Sequence, residues 1–117
     1  MRQTRSLGRL AGAAFSLMFV SAAFSPALCQ SGSGAENFKS KCVLCHGADG
    51  SGNTPLGKQL RAADLRSKDV QKKTDAELHK VIHDGQTNMP GFADQLTEEE
   101  IGQLIKYVRS LGRTATK

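Results

Sequence analysis

Two cysteine thiols stand three positions apart at Cys42 and Cys45, and an imidazole follows at once at His46. Thiols add across vinyl groups and an imidazole ligates iron, so Cys42-Val43-Leu44-Cys45-His46 has the form of a covalent haem attachment site. On a helix, positions i, i+3 and i+4 project from one face. That arrangement holds a flat macrocycle by one edge and reaches its centre. Two other chemistries use paired cysteines. A redox dithiol normally opens a helix within a βαβ pattern, and no strand-like run is present. A zinc site requires a fourth ligand and usually a second Cys/His pair; the remaining histidines, His79 and His83, come without cysteines.

A haem iron has a sixth position, and the chain offers one methionine for it beyond its first 29 residues. Met89 lies 43 residues after His46, in the turn sequence Asn88-Met89-Pro90-Gly91. A lone methionine is usually a flexible core filler, but turn sequence is not an apolar helix face. A thioether is a soft ligand that raises the reduction potential of haem. The expected cofactor contacts are therefore Cys42, Cys45, His46 and Met89, with His46 and Met89 as the iron ligands. His83, six residues before Met89, is the competing ligand. His79 and His83 also form an i, i+4 pair that could take an exposed divalent metal, against the plainer reading of two solvated helix histidines.

The elements that must position these groups are helical. Phe38, Cys42 and Cys45 recur at i, i+4 and i+7, which predicts a helix from Ala35 to about Cys45, ended by Gly47. Residues 48–61 hold Gly50, Gly52, Pro55 and Gly57 and read as loop. A short helix is expected near Ser67–Gln71. Thr74 with Glu77, and Thr97 with Glu100, make two capping boxes. The first opens a helix bearing Leu78, Val81 and Ile82 and stopped by Gly85. The second opens a helix bearing Ile101, Leu104, Ile105, Val108 and Leu111, with Gly112 as its cap. Gly102, inside that helix, has no evident reason and costs roughly 1 kcal/mol relative to alanine.

The chain begins differently. Arg2, Arg5 and Arg9 precede an uncharged run from Leu10 to Phe24, the pattern of a secretory signal peptide. The run is short of the ~20 residues of a membrane span. A retained anchor and a lipid on Cys29 are weaker alternatives, the latter because Leu28 is large for the position before a modified cysteine. The expected organisation is a leader at 1–29, a Ser/Gly-rich lead-in at 30–34, one domain at 35–112 and a tail at 113–117. Cleavage between Ala27 and Gly34 would leave about 88 residues. Three of the 16 basic residues lie in the leader and none of the 11 acids, so the net charge falls from +5 to +2. No basic stripe with interleaved aromatics remains to suggest nucleic-acid binding. Such a domain has a small core with three aromatics, Phe38, Phe92 and Tyr107, and a covalent haem would act as its staple.

The stretch Ala35–Leu111 resembles the small class I monohaem cytochromes c, the soluble carriers of bacterial and photosynthetic electron transport. The resemblance rests on Phe38, Cys42-Val43-Leu44-Cys45-His46-Gly47, Asp49-Gly50-Ser51-Gly52, Asp64-Leu65, Leu78 with Ile82 and Gly85, Met89-Pro90, and Tyr107-Val108-Arg109-Ser110-Leu111. It implies an all-α cytochrome c fold of about four short helices around one covalently attached haem c. The first and last helices would cross, with Phe38 packed on Leu104 and Tyr107. It also implies that a loop carbonyl, that of Pro55 in this chain, accepts the other ring N–H of His46, and that Asn88 reaches the Met89 sulfur or the surroundings of the iron.

Iron ligated from both sides leaves no place for a substrate, so the expected role is one-electron transfer rather than catalysis. Transient docking with a donor and an acceptor protein would serve it, with contact to membranes only through such partners and the chain itself a monomer in the periplasm. Lys58, Lys72, Lys73 and Lys80 could steer acidic partners or be ordinary solvating charge. Two alternatives accompany this reading. The chain could be a haem subunit of a periplasmic dehydrogenase or oxidase, or, with Met89 off the iron, an open-site gas sensor or weak peroxidase.

Overall fold

A computed structural model describes residues 33–115. The expected leader at 1–29, residues 30–32 of the lead-in and the last two tail residues lie outside them. The described residues form six helical segments: α1 (Gly34–Lys41), α2 (Val43–His46), α3 (Pro55–Leu60), α4 (Lys68–Gln71), α5 (Asp75–Asp84) and α6 (Glu98–Thr114). Among them the only β pairing is an isolated antiparallel bridge between Gln86 and Met89. The protein is all-α.

Local capping explains where most helices begin. Ser33, Thr74 and Thr97 each close a full capping box, with Glu36, Glu77 and Glu100 respectively. Ser33 and Gly34, expected in the lead-in, are thus the N-cap and first residue of α1. The helix expected over Ala35–Cys45 is divided at Cys42, whose φ of −110° departs from helical geometry. α3 was not expected; Thr54 caps it and Pro55 supplies its first turn, the usual N-terminal pairing of a side-chain acceptor with a proline that has no N–H to satisfy. Gly112, expected as a cap, lies inside α6, which runs on to Thr114. A methyl group there would meet the Gln71 side chain at 2.4 Å, so the glycine serves the α4–α6 approach.

The α1–α6 crossing is the centre of the fold. Phe38, Ile101 and Leu104 are almost wholly buried. The rings of Phe38 and Tyr107 lie 5.0 Å apart at 47°, a tilted pair of the kind that adds about 0.5–1.5 kcal/mol beyond area burial. Gly34 makes the close crossing possible: a Cβ there would stand 2.2 Å from the carbonyl oxygen of Gln103. One clasp was not foreseen. Arg109 of α6 donates to the carbonyls of Gln71 and Lys73 and pairs with Asp75 at 2.7 Å, tying α6 to the turn between α4 and α5. Gln71 donates to the carbonyls of Leu65 and Val108 on the same side.

The two glycines at 34 and 102 should respond oppositely to substitution. Gly102 has nothing within 4 Å of the place its Cβ would occupy. Gly102→Ala should raise stability by about 1 kcal/mol, or about 4–8 °C in unfolding midpoint for a domain of this size. Gly34→Ala should lower stability by about 1–3 kcal/mol through overpacking. Thermal unfolding of the haem-loaded protein, followed by circular dichroism, distinguishes them; equal effects would remove the steric account of Gly34.

Candidate haem site

The cleft is built from α2 outward. The Nδ1 of His46 donates to the carbonyl of Ala63 at 3.0 Å. A carbonyl can only accept, so this bond places the proton on Nδ1 and leaves the lone pair on Nε2. The partner expected from the resemblance was Pro55; that residue instead opens α3, and the chain returns to His46 three residues after the helix ends. The return depends on Arg61, which sits in the left-handed region at φ 56° and ψ 45° and lets the Ala62 N–H reach the Gly57 carbonyl at 2.8 Å.

α3 is pinned against α2 by one hydroxyl and one glycine. The Thr54 hydroxyl lies 2.8 Å from the Leu44 carbonyl and 3.0 Å from that of Cys45, and accepts from the Gly57 N–H. A Cβ at Gly57 would fall 2.2 Å from the Cys45 carbonyl oxygen. The end of α2, and with it Cys45 and His46, is therefore fixed by the Thr54 hydroxyl and the close approach of Gly57.

Met89 stands in the loop between α5 and α6. It follows a tight turn in which Gln86 and Met89 exchange backbone hydrogen bonds at 2.9 and 2.6 Å. Thr87, at φ 38°, carries the positive dihedral of this turn, an uncommon conformation for a β-branched residue. Asn88 lines the cleft, and its amide donates to the Leu60 carbonyl at 3.0 Å, which moors the turn to the end of α3. The foot of the loop is closed by two glycines. A Cβ at Gly85 would meet the Gly91 nitrogen at 2.6 Å, and one at Gly91 would meet the His83 carbonyl oxygen at 2.6 Å.

Between these segments lies a cleft of about 420 Å³. Cys42, Cys45, His46 and Met89 all line it, with apolar cover from Leu60, Leu65, Val70, Leu78, Val81 and Phe92. A smaller cavity of about 60 Å³ continues inward to Phe38, Ile82, Leu104 and Val108. The four residues singled out in the sequence thus meet in one place, although 43 positions separate His46 from Met89. Burial pushes the Cys42 thiol up to about 11. That is the reverse of a redox dithiol, whose attacking cysteine has a lowered value. His79 and His83 do not line the cleft; they lie on α5 beside Glu98.

The residues present fit a covalent haem: two thiols, an imidazole with its second nitrogen fixed, a thioether in the same cleft and a largely apolar surround. The comparisons with known proteins agree. Residues 30–108 match the family described as cytochrome c oxidase, cbb3-type, subunit III. The chain belongs to the cytochrome c family: it is a small monohaem cytochrome whose cofactor is a covalently bound haem c with its iron. It is 38% identical over 76 residues to the cbb3-type cytochrome c oxidase subunit CcoP of Rubrivivax gelatinosus, a match covering 64% of this chain and 24% of that protein. It is 32% identical over 75 residues to the cytochrome c6 of Parathermosynechococcus lividus, covering 64% of this chain and 83% of that one. Among solved structures, the KustC0563 c-type cytochrome superposes with a TM-score of 0.63 at 32% identity, over 68% of this chain and 96% of that chain.

Removing the Asn88 mooring should loosen the turn without emptying the cleft. Asn88→Ala should speed hydrogen exchange at the Gln86 and Met89 amides by about 5-fold, the equivalent of one hydrogen bond of about 1 kcal/mol. Mass-resolved exchange on the haem-loaded protein reads this directly. Unchanged exchange would show that the Leu60 contact does not hold the turn.

Proposed function

We propose that the chain is a one-electron carrier in which Cys42 and Cys45 bear the haem thioethers and His46 and Met89 ligate the iron from opposite sides. The convergence of these four residues on one apolar cleft is the observation that carries the reading. The haem iron supplies reversible one-electron chemistry between its ferrous and ferric states. His46 presents Nε2 to the metal because Ala63 holds Nδ1, a bond that also sets ring orientation. Met89 presents a soft sulfur, which favours the reduced state. Leu65, Leu78 and Val81 keep water from the site. With His46 and Met89 both holding the iron, no position would be left for a substrate, and the partners would be a donor and an acceptor protein that dock briefly.

The compartment follows from the leader at 1–29: we place the mature domain outside the cytoplasm, in the periplasm. No helix among the described residues is long and apolar enough to cross a membrane. A second reading, a haem subunit working within an oxidase, is favoured by the match to CcoP. Against it, the chain spans about a quarter of the length of that relative but 83% of a cytochrome c6. The share of this chain is the same in both matches, so the free-carrier reading is favoured by how much of the relative it accounts for. Purification of the exported protein decides between them: a monomeric haem protein supports the carrier, and a stable complex with a copper-containing or membrane-bound oxidase overturns it.

The ligand assignment has its own test. Met89→Ala should keep the haem covalently attached through denaturing electrophoresis. It should lower the reduction potential by on the order of 0.1 V or more, part of the ≈ 0.8 V range that axial ligands span. It should also open the ferric protein to rapid cyanide binding and abolish the weak near-infrared sulfur-to-iron band. A variant with unchanged potential and ligand reactivity would exclude Met89 as the sixth ligand. Cys42→Ala should instead reduce the yield of haem-bearing protein, since attachment then rests on Cys45 alone.

A further inference from the structure

His79 and His83 take no part in the cleft, yet they are arranged with unusual economy. Their rings stack with centroids 5.5 Å apart and planes at 19°. Both Nε2 atoms face the same carboxylate: Glu98, the first residue of α6, lies 2.6 Å from that of His79 and 3.7 Å from that of His83. The other ring nitrogen of His83 is occupied, since its Nδ1 stands 2.6 Å from Asp84. Asp84 is itself held by Lys80 at 2.7 Å. An imidazole whose Nδ1–H donates to a carboxylate offers its Nε2 lone pair outward, which is how metal-bound histidines are usually oriented.

We propose that His79, His83 and Glu98 form a surface site for a divalent first-row metal ion of the zinc class, with Asp84 orienting His83. Two imidazoles and a carboxylate suit such ions, and a three-residue set leaves the fourth position to water. The described residues hold no ready-made cluster around a common point. Neighbouring ligands in a tetrahedral zinc shell stand about 3.3 Å apart, given metal–ligand bonds of about 2.0–2.2 Å. His79 Nε2 lies 2.6 Å from one Glu98 oxygen and His83 Nε2 lies 3.7 Å from the other, so both imidazoles already stand at the one carboxylate and side-chain rotation has to bring them onto a common ion. The side chains are 34%, 37% and 73% exposed, so they can turn without disturbing the core. The contact they surrender is a surface ion pair, which contributes little to stability. Bound metal would join the last turns of α5 to the start of α6 and so close the base of the segment that carries Met89.

Zinc(II) is the suitable probe, because it does not exchange electrons with the haem. Isothermal titration of Zn²⁺ into the covalently haem-loaded protein should show one equivalent bound, and the unfolding midpoint should rise with Zn²⁺ concentration. His79→Gln or His83→Gln should abolish the one-to-one binding. Glu98→Gln and Asp84→Asn should each weaken it by about tenfold. Haem absorption should be unchanged in all four variants, since none lines the cleft. Binding that is equal in wild type and in His79→Gln would place the ion elsewhere and overturn the proposal. So would the absence of binding below about 1 mM.

Discussion

An apolar cleft of about 420 Å³ occupies the place where a domain of this size would otherwise keep its centre. The side chains that remain for an ordinary core form one seam, along which α1 crosses α6 and Phe38, Ile101 and Leu104 are buried. Leu60, Leu65, Val70, Leu78, Val81 and Phe92 line the cleft instead. Small domains bury too little surface to be robust unaided, and here the covalently bound haem completes the interior. The protein part therefore has two tasks that depend on each other: to enclose the macrocycle and to be held together by it.

That dependence explains how the backbone is arranged. Around the cleft the chain is short-range and irregular, made of α2, α3, α4 and tight turns, while the two longest helices lie behind or beside it. Short segments near the cofactor are held by polar side chains that bond to backbone groups of the neighbouring segment. Thr54 and Gly57 fix α3 to α2, Ala63 fixes His46, and Leu60 receives Asn88. Each contact passes through α3 or the residues just after it. This six-residue helix is the shared support for both walls of the site.

Legibility in the sequence was uneven for reasons that can be traced. The haem motif, the capping boxes at Thr74 and Thr97 and the amphipathic face of α6 could be read because each is a local pattern. The α1–α6 crossing, with Phe38 against Tyr107, came from family resemblance and is present. α3 was hidden because its glycine and proline resemble loop chemistry; the Thr54-Pro55 pair was the signal available. The acceptor for His46 was misplaced at Pro55 because the left-handed turn at Arg61, which redirects the chain, has no strong sequence mark. Arg109 could not be foreseen, since its three acceptors lie in a turn more than thirty residues away. Gly34 looked like linker and proved to be a contact point.

The meeting of Gly85 and Gly91 at the foot of the Met89 loop has a consequence for how such a protein can diverge. Where the loop is anchored is decided by main-chain atoms in contact, which tolerate no added carbon. What the loop offers to the haem is decided by the side chains between those two points. The foot of the loop is thus fixed by main-chain contact and its tip by the Asn88 mooring, so the side chains at residues 86, 89 and 90 can be exchanged while both anchors stay still.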